Sequence, residues 1–277
     1  MTAPTPVTVQ TEDDEQRPEA IWREGVEEGD RRLGRGPFGT AATALVGGFD
    51  VMLGVAAATV MAGALSQIMP AKTAATLGAA AFGIGFVFIT IGRSELFSEN
   101  FLLPVGAVVE RRHGVGPLLR TWAITLAANV AGLFVLAALF AERTVLDHGA
   151  VVAAGHTADV LADRTAPAAF LSAIAAGVLM TLWTWLSTAA RTDIGRIAIA
   201  MLVGFAIAAP SMNHVIVGTG ELMFGVLGGQ SHASWSDVGV NFLLALAGNL
   251  VGGTLFVTLT RFVQARGEQS QSAESAL

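Results

Sequence analysis

The chain has 277 residues, of which 53% are hydrophobic and 14% charged, and its formal net charge is -6. This composition excludes an ordinary soluble domain and predicts an integral membrane protein, long enough for about six or seven spans of about 20 residues each. The absence of cysteine excludes disulfides, thiolate metal sites and cysteine nucleophiles, and nothing in the charge pattern indicates nucleic-acid binding.

The first 36 residues are hydrophilic and include the acidic run 12–15. No positively charged start followed by an apolar core is present, so we expect the spans to anchor themselves without a cleaved signal. Residues 18–33 combine good helix formers with four spaced apolar side chains, which predicts a short amphipathic helix before the membrane. The simplest role for this helix is a solvated cap over the mouth of the membrane domain. Its apolar residues are Ile21, Trp22, Val26 and Leu33.

Six apolar segments follow, and the second and fifth are interrupted by polar residues. We therefore predict an all-α integral membrane fold of six transmembrane helices. The segments are 38–69, 73–92 continuing as 101–109, 118–141, 166–190, 196–209 continuing as 215–228, and 238–262.

The two interruptions are residues 93–100 and 210–214. An uncompensated charge at membrane depth costs several kcal/mol, and irregular backbone survives there only when it is buried in protein or lines a polar cavity. The pair therefore indicates a conduction pathway. Because the breaks occupy the same place in each half, we predict two three-helix repeats of opposite orientation.

A short motif supports the repeats. Ala128-Asn129-Val130-Ala131-Gly132 in the third span corresponds to Gly248-Asn249-Leu250-Val251-Gly252 in the sixth. A small residue and a glycine four positions apart let helix backbones approach closely. Asn129 and Asn249 can then bond either a neighbouring helix or a broken backbone.

The basic residues give the orientation. Twelve of the 16 lie on one side of the predicted spans, so the positive-inside rule places both termini in the cytoplasm. We expect a cytoplasmic segment with the short helix at 1–36, a six-span channel domain at 37–264 and a disordered cytoplasmic tail at 265–277. The twelve are Arg17, Arg23, Arg31, Arg32, Arg35, Arg111, Arg112, Arg120, Arg191, Arg196, Arg261 and Arg266.

Over residues 38–264 the chain resembles the formate/nitrite transporter family. The resemblance rests on Glu95-Leu96-Phe97-Ser98 followed by Asn100, on Asn213-His214, and on the two asparagine motifs. The acidic pre-helix resembles a less characterised branch of that family. The resemblance implies an aquaporin-like protomer, a homopentamer in the bacterial plasma (inner) membrane, and one pore per protomer for small monovalent anions or their acids.

We predict that His214 has a role in the pore. A histidine on an apolar helix is most often a satisfied core group, but the break after Pro210 leaves unpaired backbone around this ionisable ring. Asn213 stands beside it. A weak-acid anion could draw a proton onto such a site or accept a hydrogen bond from it, and then cross apolar gates nearly neutral.

The resemblance also implies the gates, which we expect to be dry apolar rings. It assigns Leu96, Phe97 and Ser98 to the moving or lining loop, although aromatic residues in spans usually serve packing. Counting back along the second span gives Phe82 and Phe86 at the constriction.

The chain departs from the family pattern at four places. Ile207 replaces a common gate phenylalanine, Gly177 a frequent asparagine and Asn213 a common glutamate. The family's vestibule lysine is missing from the fourth span. The chain's single lysine is Lys72, and Arg164 near that entrance is a weak substitute.

Three further charges lie in the first break. We expect Arg93 to neutralise Glu95 and Glu99 and to hold the loop, because a buried charge is normally paired. Asp50 in the first span and Glu221 in the fifth have three open interpretations: loop-bracing acceptors, pore-facing proton sites or contacts between protomers.

We find no enzyme signature. Gly83-Ile84-Gly85 lacks the remainder of a dinucleotide fingerprint, and the other four histidines lack the spacing of a metal site. We expect no cofactor. Three hypotheses remain: a pathway for a small monovalent anion or weak acid such as formate, nitrite, acetate or lactate; a channel for a neutral solute or water on the same fold; and a non-transporting membrane scaffold.

Overall fold

The computed structural model describes residues 17–142 and 144–274, with side chains as far as residue 267. These residues form eleven α-helices joined by short connections, with a 3₁₀ helix at Phe97–Phe101 and a π-helical segment at Val251–Thr258, and no strand occurs among them. The helices are α1 (Pro18–Gly34), α2 (Pro37–Leu65), α3 (Ala71–Gly92), α4 (Leu103–Val109), α5 (Val115–Ala141), α6 (His148–Ala162), α7 (Ala166–Ala189), α8 (Asp193–Ala208), α9 (Val217–Gly228), α10 (Trp235–Leu250) and α11 (Leu259–Glu274).

The all-helical membrane class is confirmed. Within the described ranges, five helices are long and apolar enough to cross a membrane; of two shorter apolar stretches, one begins within the first predicted break and the other follows the second. Six spans remain the prediction, with α3 and α4 forming the second and α8 and α9 the fifth. The five long helices are Pro37–Leu65, Ala71–Gly92, Val115–Ala141, Ala166–Ala189 and Trp235–Gly267, and the shorter stretches are Phe97–Val109 and Val217–Gly228.

Two parts of the fold were not predicted. Helix α6 is built largely of alanine, glycine and valine, and it packs against α9 through small residues: a Cβ on Gly225 would lie 2.3 Å from the Ala158 Cβ. The last helix continues ten residues past the predicted boundary at 264, and its Ala265 is buried with Trp22 and Trp185. The acidic run 12–15 and residues 275–277 lie outside the described residues.

Asn129 on α5 holds the first break. Its side-chain amide donates to the carbonyl oxygens of Ala44 (2.6 Å) and Glu95 (2.9 Å), and its oxygen accepts from the backbone N–H of Phe97 (2.9 Å). One fully buried side chain therefore ties the broken second span to α2 and supplies partners to loop backbone that lipid could not satisfy.

Asn249 on α10 holds the second break by the same pattern. Its amide donates to Ala173 (2.8 Å) and Asn213 (3.0 Å), and its oxygen accepts from the N–H of Val215 (2.8 Å). The two asparagines make equivalent bonds in the two halves, and each binds both a neighbouring helix and a broken backbone. This correspondence is what two related repeats would produce.

Two glycines let these asparagines reach their partners. A Cβ on Gly48 in α2 would lie 2.3 Å from the Asn129 carbonyl oxygen, and a Cβ on Gly177 in α7 would lie 2.4 Å from that of Asn249. Any larger residue would push the helices apart, so close backbone approach sets the geometry of both asparagine sites.

We predict that Asn129→Leu and Asn249→Leu each destabilise the protein. Either change leaves a buried loop amide and a loop carbonyl unpaired, at about 1–3 kcal/mol for each group. Thermal unfolding in detergent, followed by circular dichroism, measures the loss.

Thr254→Val is the matched control, because the Thr254 hydroxyl donates only to Leu250 in its own helix. It should unfold close to the wild-type temperature. Wild-type melting of both leucine variants would show that the asparagines do not hold the breaks.

His232, between α9 and α10, is bound by two carboxylates of the α6 region. Its Nδ1 lies 3.0 Å from Asp159 and its Nε2 2.9 Å from Asp163. The hydrogen bond with Asp163, and then the charge of Asp159, raise the pKa of His232 above its ordinary value of 6.5. The charged ring therefore links α6 to the connection that follows α9.

We predict that His232→Gln lowers stability only where the ring is charged. A raised pKa in the folded state gives stability that is fully present below about pH 6.5 and is lost as the pH rises through the raised value. The wild type should therefore melt above the variant near pH 5.5 and together with it near pH 9. His148→Gln, at an exposed position on α6, is the control. A difference that persists unchanged at high pH would contradict the assignment.

Candidate functional site

Two vestibules enter the protein from opposite ends. The α1-side vestibule, of about 630 Å³, lies between α1, the first break and α7, and Arg32, Arg93, Glu95 and Trp183 are among its lining residues. The far vestibule, of about 380 Å³, lies among α2, α3, α6 and the second break, and it is lined mainly by small and apolar side chains.

An aromatic series joins the two vestibules. Phe82 lines the far vestibule and meets Phe86 edge to face at 5.1 Å, and Phe86 stacks on Trp183 at 4.6 Å. Trp183 in turn lines the α1-side vestibule. All three rings are buried, so they form an apolar barrier between the two water-accessible spaces.

His214 lies in the second break and lines neither vestibule. Its side chain is fully buried, and Nδ1 accepts from the N–H of Val217 at 3.3 Å. A neutral ring with Nδ1 as acceptor carries its proton on Nε2. Nε2 has no hydrogen-bond partner among the described residues. A buried donor without a partner is costly, and a ligand would remove that cost.

Asn213 has protein partners at both ends of its side chain. Its amide donates to Ala169 (3.2 Å), and its oxygen accepts from Asn241 (2.9 Å). Its backbone N–H donates to the Ser172 hydroxyl (3.1 Å). These bonds hold the second break in place beside His214.

The first break is neutralised by α1. Arg35 donates to Glu95 at 2.8 Å, while Arg32 lies 3.8 Å from Glu95 and 3.6 Å from Glu99. Burial alone would lower the pKa of Arg32, but Glu99 and Glu95 raise it above its ordinary value. Arg32 therefore stays charged against the loop.

The expectation that Arg93 would neutralise these glutamates is wrong. Arg93 ends α3 in the left-handed conformation, with φ 60°, and its side chain is exposed in the α1-side vestibule. The glutamates turn into the protein, where Arg32 of α1 and Arg35, which directly follows α1, reach them.

Four predicted gate residues are buried without lining either vestibule. Phe97 packs edge to face against Phe101 (5.1 Å) and Trp122 (5.9 Å), which is a packing arrangement. Leu96 and Ile207 belong to the same apolar core, and the Ser98 hydroxyl has no partner among the described residues.

Asp50 and Glu221 have different surroundings in the structure. Asp50 accepts a hydrogen bond of 2.6 Å from Ser94 at the start of the first break, the geometry of a loop-bracing acceptor. Glu221 lines the far vestibule.

Sequence analysis missed Trp183 and the roles of Arg32 and Arg35. The local sequence around an aromatic residue in an apolar span does not tell whether the ring packs in the core or lines a vestibule. In the sequence, the two arginines are used only to place the termini in the cytoplasm. Their position in or beside the predicted amphipathic helix also indicates that they can face the membrane domain.

The structure thus contains a buried ring whose Nε2 donor has no partner among the described residues, an aromatic barrier, a charged vestibule on the α1 side and a mainly apolar vestibule at the far end. The neutral ring can give a hydrogen bond to a small solute, and it can pass on a proton only after taking one up together with the solute. Among the described residues no group of three or more histidine and carboxylate side chains is placed to hold a metal ion.

A family model described as Formate/nitrite transporter matches residues 19–263. The chain is 30% identical over 200 residues to the inner membrane protein YfdC of Escherichia coli (strain K12), covering 70% of this chain and 62% of that protein, less than two thirds of its length. It is 27% identical over 235 residues to a probable formate transporter of Methanothermobacter thermautotrophicus, covering 77% of this chain and 83% of that one.

Solved structures share the fold. An FNT family ion channel superposes with a TM-score of 0.75 at 18% identity, covering 88% of this chain and 98% of that one. A pentameric formate channel with formate bound gives 0.67 at 19% identity, covering 82% and 96%. Since the family model spans most of the sequence, this multi-pass membrane protein belongs to the formate/nitrite transporter family.

Proposed function

We propose that the protein conducts a small monovalent anion, or its conjugate acid, across the bacterial plasma membrane through a pore centred on His214. The observation that carries the proposal is the fully buried Nε2 of His214, which has no partner among the described residues. Formate, nitrite, acetate and lactate belong to the class of solutes we propose.

The solute meets water only in the vestibules. Between them, Phe82, Phe86 and Trp183 exclude water, so a bare anion loses its hydration there. A hydrogen bond from the Nε2–H of His214 replaces part of that hydration, and a proton taken up with the anion from vestibule water through the ring neutralises its charge. A compact weak acid can then pass the barrier nearly neutral, whereas chloride cannot take up a proton.

We also propose a homopentamer in which each protomer has its own pore. The solved pentameric formate channel, of the same fold, supports this assembly. The basic residues support cytoplasmic termini, which would make the α1-side vestibule the cytoplasmic one. The protein acts as a transporter and not as an enzyme.

We predict that His214→Ala reduces formate and nitrite uptake at least about tenfold, the effect expected from losing one charge-assisted hydrogen bond. The measurement is flux into liposomes containing the purified protein, with formate, nitrite, chloride and glycerol compared near pH 5 and near pH 8. Wild-type formate uptake should be faster at the lower pH, and chloride should pass slowly.

His148→Ala is the matched control, because His148 is exposed at the start of α6 and away from both vestibules. It should transport at the wild-type rate. Full transport with unchanged pH dependence in His214→Ala would remove the proposed role of the ring. Glycerol flux without anion flux from an assembled oligomer would favour a neutral-solute channel.

A further inference from the structure

The far vestibule contains an acidic side chain that the proposed pore does not use. Glu221 lies on α9, seven residues beyond His214 in sequence, and its side chain is partly exposed on the vestibule wall. Most of the surrounding wall is alanine, valine and threonine. An ionisable group on a transmembrane helix is costly and usually functional.

The Glu221 side chain makes no hydrogen bond or ion pair with any residue in the described ranges 17–142 and 144–274. Asp50 and Asp159, by contrast, both accept hydrogen bonds from serine hydroxyls. A loop-bracing acceptor would have such a partner. Because Glu221 lines a cavity within the protomer, a contact between protomers does not explain it either.

The neighbouring charges do not neutralise Glu221 by contact. Lys72 of α3 and His156 of α6 share the vestibule and are exposed to water there. Arg164, after α6, donates to Pro210 and Ser172; burial lowers its pKa, and the charge of Glu221 opposes that change.

The remaining charged groups on helices packed against α9 have other partners. They are Asp50 of α2, bonded to Ser94; Arg120 of α5, bonded to Leu33 at the opposite end; Asp159 of α6, bonded to Ser231; and Asp237 of α10, bonded to Ser234.

A carboxylate in a narrow vestibule repels an anion, whereas a carboxylic acid can donate a hydrogen bond to it. An anion that enters therefore favours the protonated form of the group, and the proton comes from water in the vestibule. Entry of the anion and uptake of one proton become a single coupled event.

We propose that Glu221 is a proton site that sets anion entry from the far vestibule: protonated it admits a small monovalent anion, and ionised it excludes one. This inference rests on the proposed function, and it adds a group that selects weak acids before they reach His214. Only O–H bonds change: an O–H bond of hydronium in the vestibule breaks as an O–H bond forms on the Glu221 carboxylate, and the proton returns to water when the anion leaves.

The test is formate flux into liposomes with the same pH on both sides, measured near pH 5 and near pH 8, for the wild type, Glu221→Gln and Glu221→Asp. Glutamine keeps the size and removes the titration. The ratio of flux at the lower pH to flux at the higher pH should fall about tenfold in Glu221→Gln, the scale of a single like-charge barrier in a cleft. Glu221→Asp keeps a titrating carboxyl group and should retain the wild-type dependence on pH.

Glu142→Gln is the matched control, because it removes an exposed carboxylate from the same end of the protein, outside the vestibule. Its flux ratio should equal that of the wild type. A pH ratio of flux in Glu221→Gln that matches the wild type would overturn this inference and leave the proposed function intact. Equal losses of flux at both pH values in both Glu221 variants would do the same. Absence of formate flux in the wild type would overturn the proposed function, and this inference with it.

Discussion

Backbone amides and carbonyls at membrane depth need partners inside the protein, because lipid offers none. Asn129 and Asn249 meet that need at the two breaks, each with two donated bonds and one accepted bond. Without them the loops would either regain helical structure or leave polar groups unpaired. Both vestibules and the ring of His214 are positioned by loops whose backbone depends on these bonds.

The charges of the first break show a second constraint. Glu95 is almost completely buried, and a single buried carboxylate would be strongly destabilising. Arg32 lies in α1, a helix before the first span, and Arg35 directly follows that helix, so the membrane domain takes its neutralising charges from outside itself. Apolar packing of Ile21, Trp22 and Val26 against Leu102, Leu103 and Trp185 holds α1 where those arginines can reach. The pre-helix therefore supports the break and also lines the α1-side vestibule.

Sequence alone located the breaks and the asparagines, because a polar residue in an apolar run is a local signal. It assigned Arg93 to the glutamates because they are neighbours in sequence, whereas the true partners lie 60 or more residues away. Helix α6 was missed because its small residues pack closely without a stripe of large apolar side chains. Trp183 was missed because a packed and a lining aromatic residue have the same sequence context. Spacing predicts local geometry, and long-range packing decides which partner a charge finds.

The departures at Gly177 and Asn213 have different physical explanations. Gly177 cannot carry a side chain, since a Cβ there would lie 2.4 Å from the Asn249 carbonyl, so an asparagine at that position would require α7 and α10 to separate. The Asn213 side chain is already hydrogen-bonded to Ala169 and Asn241. Within the described part of the second break, Nε2 of His214 is then the buried polar side-chain atom that still has no protein partner. In the function we propose, both departures leave the imidazole, rather than a side-chain amide, to recognise the solute, and an imidazole can exchange a proton with a weak acid where an amide cannot.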